Sequence, residues 1–228
     1  MENKRKIAFF DFCETLVNFQ TADAFVDFVR EKTQNPRMLR VKKWTDLLVR
    51  IKLIKLVEKL TRYRLSINKK LVLWQLKGFE YSVLDLLAEE YYKYRIKPNF
   101  IIPIVQELLA RKSEGYEIVL VSGGYSIYLK YFAHEYGISN VISSTIGFEN
   151  NVCTGRFGSI DCLFENKTKL LNQQYDKNAL QSVAYSDSKS DIPLFKWANE
   201  GYVVSHNISQ RWINNYKLNE IIWTEKNL

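Results

Sequence analysis

An α/β fold, a parallel-sheet core interrupted by an all-helical insert, is what this sequence predicts, and three observations carry it. Apolar runs over residues 7–10, 117–121 and 181–185 each stop abruptly at polar residues, Asp11, Ser122 and Asp187 with Asp191 just beyond. Buried parallel strands end this way where they hand over to the loops at their carboxyl ends, the edge at which such sheets bind ligands. Between the first two runs, residues 17–96 carry apolar positions at helical spacing and nothing that reads as a strand.

Composition bounds the rest. With 228 residues, 46% of them hydrophobic and 14% aromatic, the chain has ample material for a packed interior. The basic start, Lys4-Arg5-Lys6, resembles an export signal, but Asp11 breaks the apolar run that follows too early, and no later run is as long as a membrane span. Cys13, Cys153 and Cys162 are odd in number and far apart. They argue against a disulfide framework and for a reducing compartment, so a cytoplasmic location is expected. Cys153 and Cys162 lack companion ligands for a zinc site and are expected to be buried thiols on neighbouring strands. The formal charge of +8 is uneven: residues 31–70 hold thirteen Lys or Arg against three acids, a net +10, which leaves the remainder near −2.

In chain order, a helix is expected over 21–30, with Ala22, Phe25, Val26 and Val29 on one face and Thr21 as its cap, broken at Asn35-Pro36. Residues 38–60 then suit one extended helix or two, and further helices fall at 69–76 and 83–96, the latter stopping before Pro98. A helix over 98–111 leads into the strand that carries Ser122. Residues 125–136 form the next helix, and 141–158 alternate and turn like strand and hairpin around Asn150-Asn151 and Gly155. Helices at 166–174 and 192–198 flank a strand at 181–185, and 201–205 is expected to be the last core strand. Domain bounds follow: residues 1–16 and 97–228 for the core, 17–96 for the helical insert.

Four motifs occur in a telling order. They are Asp11 in Phe10-Asp11-Phe12-Cys13-Glu14-Thr15-Leu16, Ser122-Gly123-Gly124, Lys167 in Glu165-Asn166-Lys167, and Asp187 with Asp191 in Ser186-Asp187-Ser188-Lys189-Ser190-Asp191. Nucleophilic acid, hydroxyl, lysine and acid pair are what phosphoryl transfer needs, since the charged oxygens must be neutralised and hydrogen-bonded while an oriented carboxylate attacks. Over about residues 6–207 the chain resembles the haloacid dehalogenase superfamily, and within it the phosphoserine-phosphatase-like branch with a helical cap. The fold that resemblance implies is a Rossmann-like parallel sheet core closed by a helical cap that selects the substrate. It further implies that Asp11 forms an aspartyl-phosphate, and that Asp11, Asp187 and the backbone carbonyl of Cys13 hold Mg²⁺, with Asp191 supporting that oxygen shell. Ser122, with Gly123 and Gly124 letting the backbone approach, would donate to the phosphate. Lys167 would neutralise it, with Lys169 as the alternative lysine. Leu170 and Leu171, at i+3 and i+4 from Lys167, favour the former.

The chain departs from the family's first motif. Phosphatases of this superfamily carry a second Asp two residues after the nucleophile as general acid and base, and here that position is Cys13, a weak donor with an ordinary pKa of about 8.5. Glu14 is the nearest alternative acid. The position aligned with Gln20 in phosphoserine phosphatases is an acid that binds the substrate amine, so an amide there counts against phosphoserine itself. The expected function is therefore Mg²⁺-dependent hydrolysis of a small phosphorylated metabolite. The alternative is a protein of the same fold that binds a phosphorylated or lipid-linked ligand without turnover. The basic segment with Trp44, Tyr63 and Trp74 reads as a solvated helical face rather than a nucleic-acid site; its two apolar flanks are expected either both to be buried inside the helical bundle or to leave one for peripheral contact with anionic lipid.

Overall fold

β1, Arg5–Phe10, is the strand on which the sheet is built. In the computed structural model, which describes residues 4–50 and 67–225, β1 pairs in parallel with β2 (Glu117–Tyr125) on one side and β6 (Leu180–Ser186) on the other. β3 (Asn140–Ser144) lies outside β2, and β7 (Glu200–His206) and β8 (Asn219–Trp223) lie outside β6. The order β3-β2-β1-β6-β7-β8 reverses direction between β1 and β6, the switch point where doubly wound sheets open a crevice at their carboxyl edge.

Both faces of the sheet are covered, so β1 reads as a continuous apolar run. Ala8 and Phe10 point to one face, against α5 (Ile102–Ser113) and α6 (Ser126–Glu135); Ile7 and Phe9 point to the other, against α7 (Glu165–Asn172) and α8 (Ile192–Trp197). Phe10 stacks on Tyr185 at 4.2 Å, and Phe9 meets Trp197 edge-on at 5.3 Å. Each such ring, fully buried, contributes roughly 1.5–3 kcal/mol and locks β1 against its neighbours.

The insert contributes α1 (Thr21–Thr33), α2 (Pro36–Arg50), α3 (Ile67–Trp74) and α4 (Tyr81–Tyr91). The chain leaves the core and returns to it side by side: Asn18 N–H donates to Asn99 O at 3.1 Å, and Ile101 N–H to Leu16 O at 2.9 Å. A second seam joins the insert to the hairpin of β4 (Ile146–Glu149) and β5 (Val152–Phe157). There Gly78 N–H donates to Cys153 O and Cys153 N–H to Phe79 O, both at 2.8 Å. Asn150 and Asn151, at φ 49° and 63°, make the hairpin turn the sequence announces.

Six expectations need correction. The helix over 98–111 starts only at Ile102, because Pro98 sits in a separate 3₁₀ turn, Lys97–Asn99, and the helix over 83–96 relaxes into a π-turn at Tyr92–Ile96. Ser122-Gly123-Gly124 lies within β2, in a bulge where the register against β3 slips between Ser122 and Tyr125, rather than in a loop after the strand. Thr21 does not cap α1; Gln20 holds that position without a side-chain bond, and the Thr21 hydroxyl is engaged elsewhere. Cys162 lies in the loop before α7, not on a strand, although all three cysteines are free as expected. The last core strand is β8, whose exposed and half-buried positions hide it from a search for apolar runs. Residues 51–60 of the long basic stretch, and the side chains of its flanks Leu47/Ile51/Ile54 and Val49/Leu53/Leu56/Leu60, lie outside the described residues.

Candidate active site

The carboxyl ends of β1, β2 and β6 and the first turn of α7 open onto one cavity of about 430 Å³, closed from above by α1 and α3. Asp11 follows β1 directly, its N–H held by Tyr185 O at 2.9 Å, so the strand pairing itself aims the carboxylate. Lys167 reaches it from α7: its Nζ lies 3.1 Å from Asp11 Oδ2 and 2.6 Å from Asp191 Oδ2, with the lysine side chain 2% exposed. Lys169 is exposed and bonds Asn166, so Lys167 is the lysine at the cavity. Asp191 is fixed from a second side by the Ser186 hydroxyl at 2.6 Å. Asp187 exchanges two hydrogen bonds with Thr15, whose hydroxyl donates to Asp187 Oδ1 at 3.1 Å and accepts from Asp187 N–H at 3.0 Å.

Burial shapes the charges. It pushes Asp11 up to about 6, with Asp191 adding to the rise and Lys167 only partly opposing it. Asp187 is pushed up to about 7, first by burial and then by the charges of Asp11 and Glu14. For Lys167 burial acts downward, but Asp11 and Asp191 outweigh it and hold the ammonium charged. Asp11 and Asp187 thus face one cavity and repel each other, an arrangement that a hard divalent cation relieves, and oxygen donors suit Mg²⁺. Among the described residues no three His, Cys, Asp or Glu side chains converge on one point. An Mg²⁺ shell here would therefore be two carboxylates completed by a backbone carbonyl and water, which fits the donor set Asp11, Asp187 and Cys13 O.

Cys13 lines the cavity but its thiol is poorly suited to acid and base work. Its Sγ lies 2.9 Å from Thr21 Oγ1, which lies 2.7 Å from the buried Tyr128 hydroxyl. Burial first, and Asp11 next, push the thiol up to about 11. Glu14 lines the cavity at φ 54°, a left-handed backbone that disfavours any side chain but glycine, and receives the Gln20 amide. Of the β2 stretch, Gly123 lines the cavity while Ser122 lies beneath it, its Oγ accepting from Gly124 N–H at 3.1 Å. Gly124 serves packing: a Cβ there would sit 2.8 Å from the Tyr128 hydroxyl oxygen.

Sequence reasoning missed Lys69, Asp161, Thr15 and Asp23. Lys69 was counted within the basic segment as one more solvated charge, yet its Nζ bonds Gly123 O at 2.7 Å, Ser144 Oγ at 3.1 Å and Asp161. The i, i+4 pattern around it, with Val72 and Leu73 turned inward, was the only signal available. Asp23, in the first turn of α1, lines the cavity, and its carboxyl is raised first by burial and then by Asp27.

A doubly wound sheet with carboxylates from two strand ends, a buried lysine between them and a helical lid defines a class of hydrolases, and comparison with known proteins agrees. The family model for haloacid dehalogenase-like hydrolases matches residues 8–196, and the chain belongs to that family as a phosphatase-like hydrolase. A phosphoserine phosphatase of Albidiferax ferrireducens is 27% identical over 202 residues, which is 85% of this chain and 76% of that protein. One of Polaromonas sp. is 27% identical over 198 residues, covering 83% and 74%. In fold, a Bordetella pertussis protein of unknown function superposes with a TM-score of 0.79 at 20% identity, over 96% of this chain and 99% of its own. An apo phosphoserine phosphatase does so at 0.62 and 19%, over 96% and 94%. No helix among the described residues is long and apolar enough to cross a membrane.

Proposed function

We propose that the chain is a Mg²⁺-dependent phosphomonoesterase in which Asp11 is the nucleophile and residues 17–96 form the cap over its site. The observation that carries it is Asp11 at the end of β1, aimed into the cavity with Lys167 at 3.1 Å. Mg²⁺ held by Asp11, Asp187 and the Cys13 carbonyl, with Asp191 behind them, would draw charge from the phosphoryl oxygens. Lys167 binds the same oxygens and keeps Asp11 ionised for attack; the backbone at Gly123 lines the phosphate's approach, with Ser122 and Gly124 shaping the bulge beneath it. Thr15 orients Asp187, and Ser186 orients Asp191.

The relatives' name points to phosphoserine, but Gln20, bonded to Glu14, stands where those enzymes place an acid, so the substrate is taken as another small phosphomonoester of the cytoplasm. Phosphate release from a panel of phosphoesters including phosphoserine, with and without Mg²⁺ and with Asp11→Asn as control, tests this. Release that is indifferent to Asp11→Asn would end it. A second reading, binding without turnover, has the raised Cys13 thiol, bonded to Thr21, behind it, and tight phosphoester binding with no release on the same panel would select it. Leu39 and Trp44, 41% and 68% exposed on the basic helix α2, support peripheral contact with anionic lipid, and failure to co-sediment with anionic vesicles at low salt would dismiss that contact.

A further inference from the structure

Lys69 and Asp161 face each other across the boundary between cap and core, and each side chain is only 12% exposed. Lys69 comes from α3. Asp161 comes from the loop between β5 and α7, where its Oδ1 also accepts from the Ser144 hydroxyl at 2.7 Å. The ammonium's remaining contacts are the Gly123 carbonyl and Ser144, so its three donors are consumed by the core. It also sits over the rings of Tyr125 and Phe157, at 5.5 and 5.2 Å from their centroids, which shield the pair on that side. Asp161 Oδ2 is buried with no hydrogen-bond partner among the described residues, so the carboxylate depends on Lys69 for neutralisation.

The two ends of α3 are held differently. Its carboxyl end runs into Gly78, at φ 89°, and the backbone seam with Cys153; Gly155 of β5 lies so close that a Cβ there would meet Trp74 Cα at 3.2 Å. Backbone hydrogen bonds and a glycine-to-helix contact make that end a pivot. At the other end, at the mouth of the cavity, Lys69 reaches across to the core by its side chain.

We propose that Lys69 and Asp161 are the latch that holds α3 down over the cavity, pivoting at Gly78, and that the same ammonium fixes the Gly123 carbonyl in the β2 bulge. Closing the cap would thereby also set the strand end that receives the phosphate, and opening would begin with the breaking of this ion pair. Lys69 is then a positioning residue and not a ligand for the substrate. As a gate for the site described above, the latch takes its purpose from the phosphatase reading, while its test is read on the free protein and stands whatever the chain hydrolyses.

The test is amide hydrogen exchange on the full chain for Lys69→Met, Asp161→Asn and the double variant. Met keeps the stem over the two rings and removes only the charge. In Lys69→Met, exchange in α3 should rise at least about tenfold, while Gly78 and Cys153 in the seam and the amides of β6 and α8 keep their protection. Asp161→Asn removes the counter-charge but leaves the Lys69 ammonium an amide oxygen, Gly123 O and Ser144 Oγ as acceptors, so it should loosen α3 less, and the double variant should open α3 no further than Lys69→Met does. Unchanged exchange in α3, an equal rise in α3 and the seam, or additive effects of the two substitutions would each overturn the latch. Should Lys69→Met fail to fold, Asp161→Asn alone decides: a rise confined to α3 supports the latch, and no rise overturns it.

Discussion

Two lysines enter the cavity from opposite sides, and the contrast between them separates what is chemistry from what is closure. Lys167 belongs to the core and is buried between two carboxylates, so the cluster is left one negative charge in excess, a balance that a bound cation completes. Lys69 belongs to the cap and is matched by one acid, one hydroxyl and one carbonyl, which leaves nothing over for a ligand. A lysine serving a phosphoryl group should be pinned on a rigid element beside the nucleophile; a lysine serving closure should span elements that can part. The sequence spacing of the two residues is silent on this difference, which lies entirely in what surrounds each ammonium.

The largest effect that would sharpen the comparison is at the residue Lys167 serves. Asp11→Asn is expected to reduce phosphate release on the order of 10³-fold or more with the thermal transition still cooperative, since a strand-end carboxylate adds little to the core. Lys167→Met should come next. It is expected to lower turnover roughly 10²- to 10³-fold, and to cost about 3–5 kcal/mol in urea unfolding because Asp11 and Asp191 are left buried without their cation. Lys69→Met should cost less on both counts. If the two substitutions destabilise the protein equally and slow it equally, the division between charge for chemistry and charge for closure fails.

Cys13 gives a third way to test the core side. General acid assistance is worth about 10²- to 10⁴-fold, so without the second Asp an alkyl phosphate should be hydrolysed far more slowly than an aryl or acyl phosphate. Water attack on the phosphorylated Asp11 would also lack its base, and a burst of product should precede slow turnover. Cys13→Asp is expected to raise alkyl-phosphate turnover much more than aryl-phosphate turnover and to remove the burst, read by stopped-flow release of the leaving group. Equal slowing of both substrates would show that this position is not the acid's, and Glu14→Gln becomes the informative variant.

Much of the core was legible because its central strands are short apolar runs and the site acids stand at or shortly after their ends. Asp11, Asp187 and Asp191 sit where those runs stop, and Lys167 announces itself through Leu171 on the buried side of its helix. β8 was missed because edge strands with one face to solvent show no such run, and the strand was ended at Ser122 because a bulge inside a strand has the composition of a turn. Cap residues were harder still. Lys69 and Asp161 meet from 92 positions apart, and neither charge type nor spacing distinguishes a lysine turned inward to a carbonyl from its solvated neighbours. The Thr21 hydroxyl looked like a helix cap because caps are the common use of such a residue; its bonds to Cys13 and Tyr128 depend on how α1 is laid over the core.

The smallest effect expected is also the one that tests the acid pair directly. In the metal-free protein Asp187 is pushed from the ordinary carboxyl range up to about 7, so the folded state holds its proton more tightly than the unfolded state does. For a group raised in this way, the stability it contributes is complete below the unfolded pKa, near 4, and is lost as the pH rises through 7. The metal-free protein should therefore be less stable at pH 8 than at pH 5. Asp187→Asn, which removes the ionisation, should stabilise it by about 1–3 kcal/mol at pH 8, the gain shrinking as the pH falls toward 4. Urea midpoints in a chelator at pH 8, 6.5 and 5 measure this. Excess Mg²⁺ at pH 8 should reverse the order, stabilising the wild-type chain and leaving Asp187→Asn nearly unchanged. If Mg²⁺ shifts both proteins alike, Asp187 is not among its ligands; if the wild-type midpoint is flat across the three pH values, Asp11 and Asp187 do not share one crowded pocket.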